Sequence, residues 1–505
     1  MPQDSLDIQV KQRAEELFQP FVPFLLRFFS DEWDDVSYAV YPSMLDLLSL
    51  LRKEKRITGT LSHAHSLMLS PILNAIVLKA KYDEDTTWGG EDDDEADEAE
   101  FQALRKRLKT LQDTVAAIDE QLYINTLSNL IGTTFDRVVE GGVATVDWRE
   151  VDLAMYEMFL FGELAMRSGG MFSKGRPQGP AAETLINLMV KMMNSGAALR
   201  DQPCDGDSNG FIGIATSSHP AIKLRYMETV VRYAAFFEVH NTYIPKALEN
   251  FVGGVHDNHV RVRNRSWYLF FRFVKTLRQH IGEIAQEVLE AISDILVIKA
   301  ELPQDAGDNE MSSDDTQNED AAFESQLHLF EAVGCLSSIK SITTDKQVLF
   351  VTTVMTPLFR NMESSLEAAK QGDVRSVLQV HHIVMALGTL AKGYADGTPG
   401  AGASTPVPNE LVVREFENAS EVILVSLESL RNHPNIRDAA RRSFSKMVVI
   451  LGPKALPTLP RWLEGLLAEN STAEEILVFL RLLKQIVHGF KVYFHRFYCN
   501  DLSRC

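Results

Sequence analysis

Cysteine is scarce, with four residues in 505, at positions 204, 335, 499 and 505. They form neither a paired framework nor a CxxC spacing, which excludes a disulfide-stapled extracellular module or a thiolate zinc site and predicts a reducing compartment. No uninterrupted run of about 18 apolar residues marks a membrane span. The amino-terminal stretch MPQDSLDIQVKQRAEELF carries acids and no apolar signal-peptide core, so a soluble intracellular protein is expected. No phosphate-cradling GxxxxGK[ST], nucleophile elbow GxSxG or zinc-binding HExxH occurs; without such a sign of catalysis, no enzyme activity, metal or cofactor is expected. Alternating strand patterns are almost absent, which excludes the β-rich classes.

The charge is lopsided, 69 Asp and Glu against 50 Lys and Arg, for a net of -19. The excess has an address. Asp83 to Glu100 carries eleven carboxylates and Glu301 to Asp320 carries eight, both without a Lys or Arg. Setting those 19 aside leaves 50 acids against 50 bases, a neutral remainder free to carry local basic surface. The runs admit two readings: self-repelling loops that serve solubility alone, or competitors of a polyanion for nearby basic surface. Arg105, Lys106, Arg107 and Lys109 follow the first run directly, so the second reading stays open.

Throughout the chain apolar residues recur with a helical period, and the protein is expected to be all-α. Stripes are predicted at Leu17, Phe21, Phe24, Leu25 and Phe28, with Pro20 and Pro23 bending or breaking that helix; at Tyr41, Leu45, Leu48 and Leu51; and at Leu67, Ile72, Ile76 and Leu78. A long pattern from Glu100 to Arg137 reads as two helices meeting near Leu122. Further helices are expected over Val151 to Met166, Ala181 to Met193, Ile222 to Phe237, Tyr243 to Phe251 and Val260 to Arg278. Glu283 to Ile298 is expected to pair with the Val260 helix, and Phe323 to Ile339 with Val348 to Met362. Val374 to Leu390 and Leu411 to Leu430 follow, then three short helices from Ile436, Leu456 and Ala473, with Asn435, Pro453 and Ser471 at their starts.

Helix pairs recur about every 40 residues once the inserts are discounted, which is the HEAT and armadillo period. Amphipathic pairs of this kind bury their apolar faces by stacking, so the expected architecture is an α-solenoid, a right-handed superhelical arch of HEAT-like helix pairs. A compact helical enzyme or several separate bundles are the alternatives. The predicted organisation is HEAT-like helices at 1–82, an acidic insert at 83–100, repeats at 101–300 with loops at 168–180 and 195–218, and a second acidic insert at 301–320. Repeats at 321–392, a flexible linker at 393–408, repeats at 409–490 and an atypical tail at 491–505 complete it.

The segment VRVRNRSWYLFFRFVKTLR at Val260 to Arg278 sorts on a helix into two faces. Trp267, Phe270, Phe271 and Val274 share the i, i+3, i+4, i+7 spacing of a buried stripe. Arg261, Arg265, Tyr268, Arg272 and Lys275 share the other side, either as a solvated face or as a rail for a polyanion. Asp205, Asp207, Asn209 and Gly210 fit the first half of a calcium loop, but its twelfth position is Thr216, where a bidentate Glu is needed, so a surface loop is the plainer reading. The pairs His63 with His65 and His381 with His382 lack the i, i+4 spacing of a helical metal site. Met189, Met192 and Met193 suit core filling before an adaptable groove.

Several segments are similar to the exportin-T family of karyopherins, most to its fungal form. The block Tyr82 to Trp88 (YDEDTTW), running through the acidic insert into Glu98 to Leu108 (EAEFQALRKRL), resembles it, as do Val260 to Lys275 and the ISDIL at Ile292 to Leu296. Glu16 to Trp33 and Leu122 to Ile124 agree less distinctively. The resemblance implies a HEAT-repeat nuclear export receptor that binds tRNA together with Ran-GTP, carries it through the nuclear pore past nucleoporins, and releases it after GTP hydrolysis in the cytoplasm. It also implies a link to pre-tRNA splicing, and places catalysis in Ran. It covers the central portion of such a protein, so the repeats that hold Ran are expected to lie outside this chain, and the tail from Lys491 departs from the family pattern.

Two functions fit this sequence. In one, a nucleus-to-cytoplasm shuttling carrier meets the phosphates of a folded RNA through Arg261, Arg265, Arg272 and Lys275, and through Arg105, Lys106, Arg107 and Lys109. In the other, a protein-binding HEAT scaffold or protein-cargo karyopherin turns the same stripe toward an acidic protein.

Overall fold

The computed structural model describes residues 13, 19–88, 95–167, 169–195, 213–302, 315–395, 409–469 and 471–490, the side chains of 95, 96 and 315–321 aside. The chain forms two compact units, Met1–Val239 and His240–Cys505. In the first, residues 19–29 form helix α1. Then come α2 (Asp34–Thr58), α3 (His63–Lys79), α4 (Glu95–Ile118), α5 (Glu120–Gly141), α6 (Trp148–Met166), α7 (Pro180–Asn194), α8 (Pro220–Arg232) and α9 (Ala235–Val239). The second holds α10 (Ile244–Val255), α11 (Val260–Leu277), α12 (Ala285–Ala291), α13 (Asp315–Ser337), α14 (Thr344–Lys370) and α15 (Val374–Tyr394). It ends with α16 (Glu410–Ser429), α17 (Pro434–Leu451), α18 (Leu459–Gly465) and α19 (Ala473–Gly489). The only strands among the described residues are Phe172–Ser173 and Arg176–Pro177, a two-stranded hairpin between α6 and α7.

Each unit is a double layer of HEAT-like helix pairs, as amphipathic helices with short turns require. In the first unit α2, α4, α6 and α8 stack as one layer, and α3, α5 and α7 as the other. In the second, α11, α13, α15, α17 and α19 make one layer, backed by α10, α14, α16 and α18. The middle of that layer is α15, long and apolar enough by composition to cross a membrane. Its apolar surface is instead covered by α13, α14 and α17, and Val380, Ile383, Val384, Leu387 and Leu390 are fully buried.

The helices end where local chemistry stops them. Between α4 and α5 the break falls at Asp119, three residues before the expected Leu122, because the Asp119 carboxylate accepts the Leu122 amide and caps α5. Ile222 to Phe237 divides into α8 and α9 at Tyr233, whose ring lies over Gly162 and whose hydroxyl donates to the Phe159 carbonyl. At the end of the chain α17 and α19 are 18 and 17 residues long, not short. Pro434 opens α17 ahead of Asn435. The cap of α19 is Thr472 rather than Ser471, in a capping box with Glu475.

Some stripes face otherwise than their periodicity predicts. On α1 the buried residues are Val22, Leu25 and Phe29, whereas Phe21, Phe24 and Phe28 are exposed. Both sets have helical spacing and differ by one residue of rotation, and the larger rings do not decide the matter. The helix also runs through Pro20 and Pro23, as α2 runs through Pro42, α3 through Pro71 and α14 through Pro357. On α2 the core is Met44, Leu47, Leu48 and Leu51, and on α3 it is Leu69, Ile72, Leu73, Ile76 and Val77, with Leu67 and Leu78 exposed.

Glu283 to Ile298 is no long helix. It breaks into the seven-residue α12 between 3-10 turns, and α12 packs on α10, while α11 lies between α10 and α13. Asp205 to Ile212, with the half calcium loop, and the 491–505 tail lie outside the described residues. So do residues 396–408 of the linker, although Gly393 and Tyr394 complete the last turn of α15.

Candidate nucleic-acid interface

The sequence of α11 sorts its two faces as a helix must. Val262, Ser266, Trp267, Leu269, Phe270, Phe271, Phe273, Val274 and Leu277 are buried. The Trp267 indole donates to the Val255 carbonyl at 3.0 Å, tying α11 to α10, and Phe251 meets Phe273 at 5.0 Å between ring centres. Arg261, Arg265, Arg272 and Lys275 are all exposed. Over the roughly 21 Å from Arg261 to Lys275, at about 1.5 Å per residue, they make a rail of four cations.

Aromatic rings order that rail. The Arg265 guanidinium lies 5.2 Å and the Arg272 guanidinium 5.8 Å from the Tyr268 ring centre, and Arg272 donates to the Tyr268 hydroxyl at 3.0 Å. Lys275 sits 5.5 Å over Phe271. His328 of α13 closes the ridge, edge-on to Tyr268 and stacked on Phe271 at 5.7 Å. Burial holds His328 below the usual histidine range, so near neutral pH it adds a flat ring and no charge. Cations held over rings keep their charge while losing rotamer freedom, which suits phosphate contact.

The four basic residues of α4 part company. Successive residues turn by about 100° on a helix, and Arg105 faces inward with 1% of its surface exposed. Its guanidinium donates to the Ala80 carbonyl at 2.8 and 3.0 Å and to Asp152 of α6 at 2.5 Å. Tyr82, Phe101 and Tyr156 surround it at 4.5, 4.6 and 4.3 Å. Arg105 is therefore corrected from a surface RNA contact to a buried strut of the first unit. Lys109 bridges Asp113 at 2.9 Å and Glu163 at 3.0 Å, so its charge is already matched. Lys106 and Arg107 remain exposed, with Arg107 4.6 Å over Tyr38.

That strut explains the Tyr82 block. Tyr82 is buried against Phe101 at 4.2 Å and Trp148 at 5.2 Å, and its hydroxyl donates to Glu98 at 3.1 Å. Burial first, and the Asp152 carboxylate next, push its phenol above the usual range. Nearby, Glu157 is fully buried and accepts from Gln112 at 2.8 Å. Burial raises its carboxyl to about 8, so it is largely protonated at neutral pH.

The other chemical candidates pack as structure. His65 is hydrogen-bonded to Glu54, and His382 stacks on Phe323 at 3.6 Å. Met189, Met192 and Met193 are buried. Among the described residues no group of three or more His, Cys, Asp or Glu is placed to hold a metal ion.

Sequence reasoning missed a second basic cluster, Lys392 on α15 with Arg441, Arg442 and Lys446 on α17. The i, i+4 spacing of Arg442 and Lys446 was the available signal.

A family model described as Exportin-T matches residues 8–499. The chain belongs to the Exportin-T family. The match runs into the 491–505 tail that the sequence alone set apart. The chain is 48% identical over 490 residues to Exportin-T of Sclerotinia sclerotiorum and 49% identical over 487 residues to that of Podospora anserina. In each case 96% of this chain is covered and 46% of the relative, so the chain spans about half the length of the curated relatives it matches. Among solved structures, "Importin13 cytosolic state" superposes with a TM-score of 0.57 at 12% identity, covering 93% of this chain and 51% of that one. That likeness shows the fold alone, that of HEAT-like helix pairs.

Proposed function

We propose that this Exportin-T chain binds tRNA, as part of a nuclear export receptor that works with Ran-GTP and shuttles between nucleus and cytoplasm past nucleoporins. Hydrolysis of GTP then belongs to Ran, and this chain contributes binding. A link to pre-tRNA splicing goes with the same family reading. The observation that carries the RNA contact is the α11 ridge, where Arg261, Arg265, Arg272 and Lys275 are exposed on one face and ordered by Tyr268, Phe271 and His328. Lys106 and Arg107 supply a lesser contact from α4. Cations on a rigid helical wall meet phosphates and read the shape of a folded RNA more than its sequence.

Filter binding of labelled tRNA across a salt series, with and without Ran-GTP, tests this reading. Affinity should fall steeply with salt, with a log-log slope of about 0.7 to 0.9 per phosphate engaged. Reversing Arg261, Arg265 and Arg272 to Glu should flatten that slope by about 2 to 3 and leave helicity unchanged. Unaltered tRNA affinity in the triple variant would refute the contact. Retention of an acidic protein with no RNA would favour the scaffold instead.

A further inference from the structure

The layer that presents α11 carries a second concentration of charge at its other end. Glycines bring its helices unusually close. A Cβ at Gly334 of α13 would meet the Tyr394 amide nitrogen of α15 at 2.6 Å, and one at Gly393 would meet the Glu331 main chain. A Cβ at Gly388 would strike Ser443 of α17, whose hydroxyl donates to the Val384 carbonyl at 2.8 Å. With α13, α15 and α17 drawn together, the exposed Lys392, the half-buried Lys446 and the buried Glu331 come within electrostatic reach of one another.

The charges there do not cancel. Glu331 is 3% exposed and pairs with Lys392 at 2.7 Å. Asp438 pairs with both Arg441 and Arg442, the latter at 2.7 Å. Lys446 makes no ion pair and no side-chain hydrogen bond among the described residues. Burial first, then the like charge of Lys392, hold its ammonium below the usual lysine range. Lys392, Arg441, Arg442 and Lys446 thus face Glu331, Asp438 and, beside Arg441, a Glu475 already paired with Arg437, and Lys446, which has no ion pair of its own, is half-buried. Such a cluster stores repulsion that an arriving anion relieves.

We propose that Lys392, Lys446 and Arg442 form a second phosphate-binding station for the RNA backbone, with Glu331 as its built-in counter-charge. This inference rests on the RNA reading of α11. The ring contacts from Lys275 to Phe271 and His328 join the two places, since His328 is one helical turn from Glu331. From α11 to α17 is three helix-to-helix steps of about 8–10 Å each, so the row runs across the helices while the α11 rail runs along one. Cations spread in two directions fit a folded, double-helical RNA. An extended acidic peptide would engage only one of them.

The test is tRNA filter binding over a salt series with the whole chain, comparing four variants. K446Q combined with R442Q should weaken binding about tenfold and flatten the salt slope by about 1 to 2, while K446R keeps wild-type affinity. E331Q should bind about threefold more tightly, because it removes the counter-charge. If K446Q/R442Q binds like wild type while the Arg261, Arg265 and Arg272 reversals lose affinity, the station is refuted and the α11 reading stands. Unchanged affinity in both sets overturns both readings. Weaker binding by E331Q at an unchanged melting temperature refutes the counter-charge. Equal competition by poly-glutamate and by tRNA of the same charge overturns the assignment to RNA.

Discussion

Replacing Arg105 with Met separates a structural cation from a binding one. In the native protein the guanidinium makes two hydrogen bonds to the Ala80 carbonyl and one at 2.5 Å to Asp152, inside a cage of three rings. Methionine keeps much of the apolar contact and removes every one of those bonds. Asp152, 1% exposed, would retain Arg225 at 3.6 Å as its one ion-pair partner among the described residues. Breaking a buried ion pair from one side costs about 3–5 kcal/mol, because the remaining charge stays out of water. For a unit of this size each kcal/mol moves the melting temperature by about 2–4 °C, so R105M should melt about 6–20 °C lower. Removing the partner as well, in R105M with D152N, should recover most of the loss, since a buried pair exchanged for neutral groups is often close to neutral. Thermal melts followed by circular dichroism at 222 nm give both numbers, and tRNA affinity should match wild type at a temperature where R105M is folded. A melting shift under about 2 °C together with a loss of tRNA affinity would refute the buried-strut assignment and return Arg105 to the surface set.

Two further outcomes follow from the same geometry. Glu157 has a carboxyl raised from 4.5 to about 8 by burial, so between those values the native state holds a proton that the unfolded chain has released. Stability is therefore full below about pH 4.5 and declines as pH rises toward 8. E157Q mimics the protonated group and keeps an acceptor for Gln112, so it should melt like wild type near pH 5 and several degrees higher near pH 8; a wild-type gap that does not widen with pH contradicts the assignment. Trp267→Ala loses a ring that is 8% exposed and the bond to the Val255 carbonyl, and should cost about 3–5 kcal/mol in urea unfolding. A cost below about 1 kcal/mol would mean that α11 is not anchored through this face.

Much of the fold was legible because helical periodicity is a strong signal over 15 to 27 residues. The buried face of α11 agrees with its spacing, and the starts of α6, α7 and α10 fall within a few residues of those expected. What periodicity could not decide was which of two apolar stripes faces inward on α1, where Val22, Leu25 and Phe29 compete with Phe21, Phe24 and Phe28. Nor could it find the break after Arg232, which depends on Tyr233 reaching Gly162 in another helix. The partner of α11 was misread for the same reason: adjacency in sequence favoured Glu283 to Ile298, but α13, beyond the acidic insert, supplies the neighbouring face.

The candidate site was legible only where one helix carries it. Arg261, Arg265, Arg272 and Lys275 lie on a single period, so spacing placed them together. Arg105 to Lys109 were grouped by adjacency alone, and helix rotation scattered them into a buried strut, an ion-paired lysine and two exposed cations. Lys392 and Lys446 are 54 residues apart in sequence, and come within electrostatic reach where Gly388 and Gly393 let three helices close up. Charge arithmetic shows why a chain of net -19 can still offer such surfaces. Potentials are screened beyond about 8 Å at physiological salt, so a phosphate approaching α11 or α17 feels the nearest few side chains. At α17 the carboxylates are committed: Glu331 to Lys392, Asp438 to Arg441 and Arg442, and Glu475 to Arg437. Local pairing, which sequence totals do not contain, decides which cations are left for a ligand.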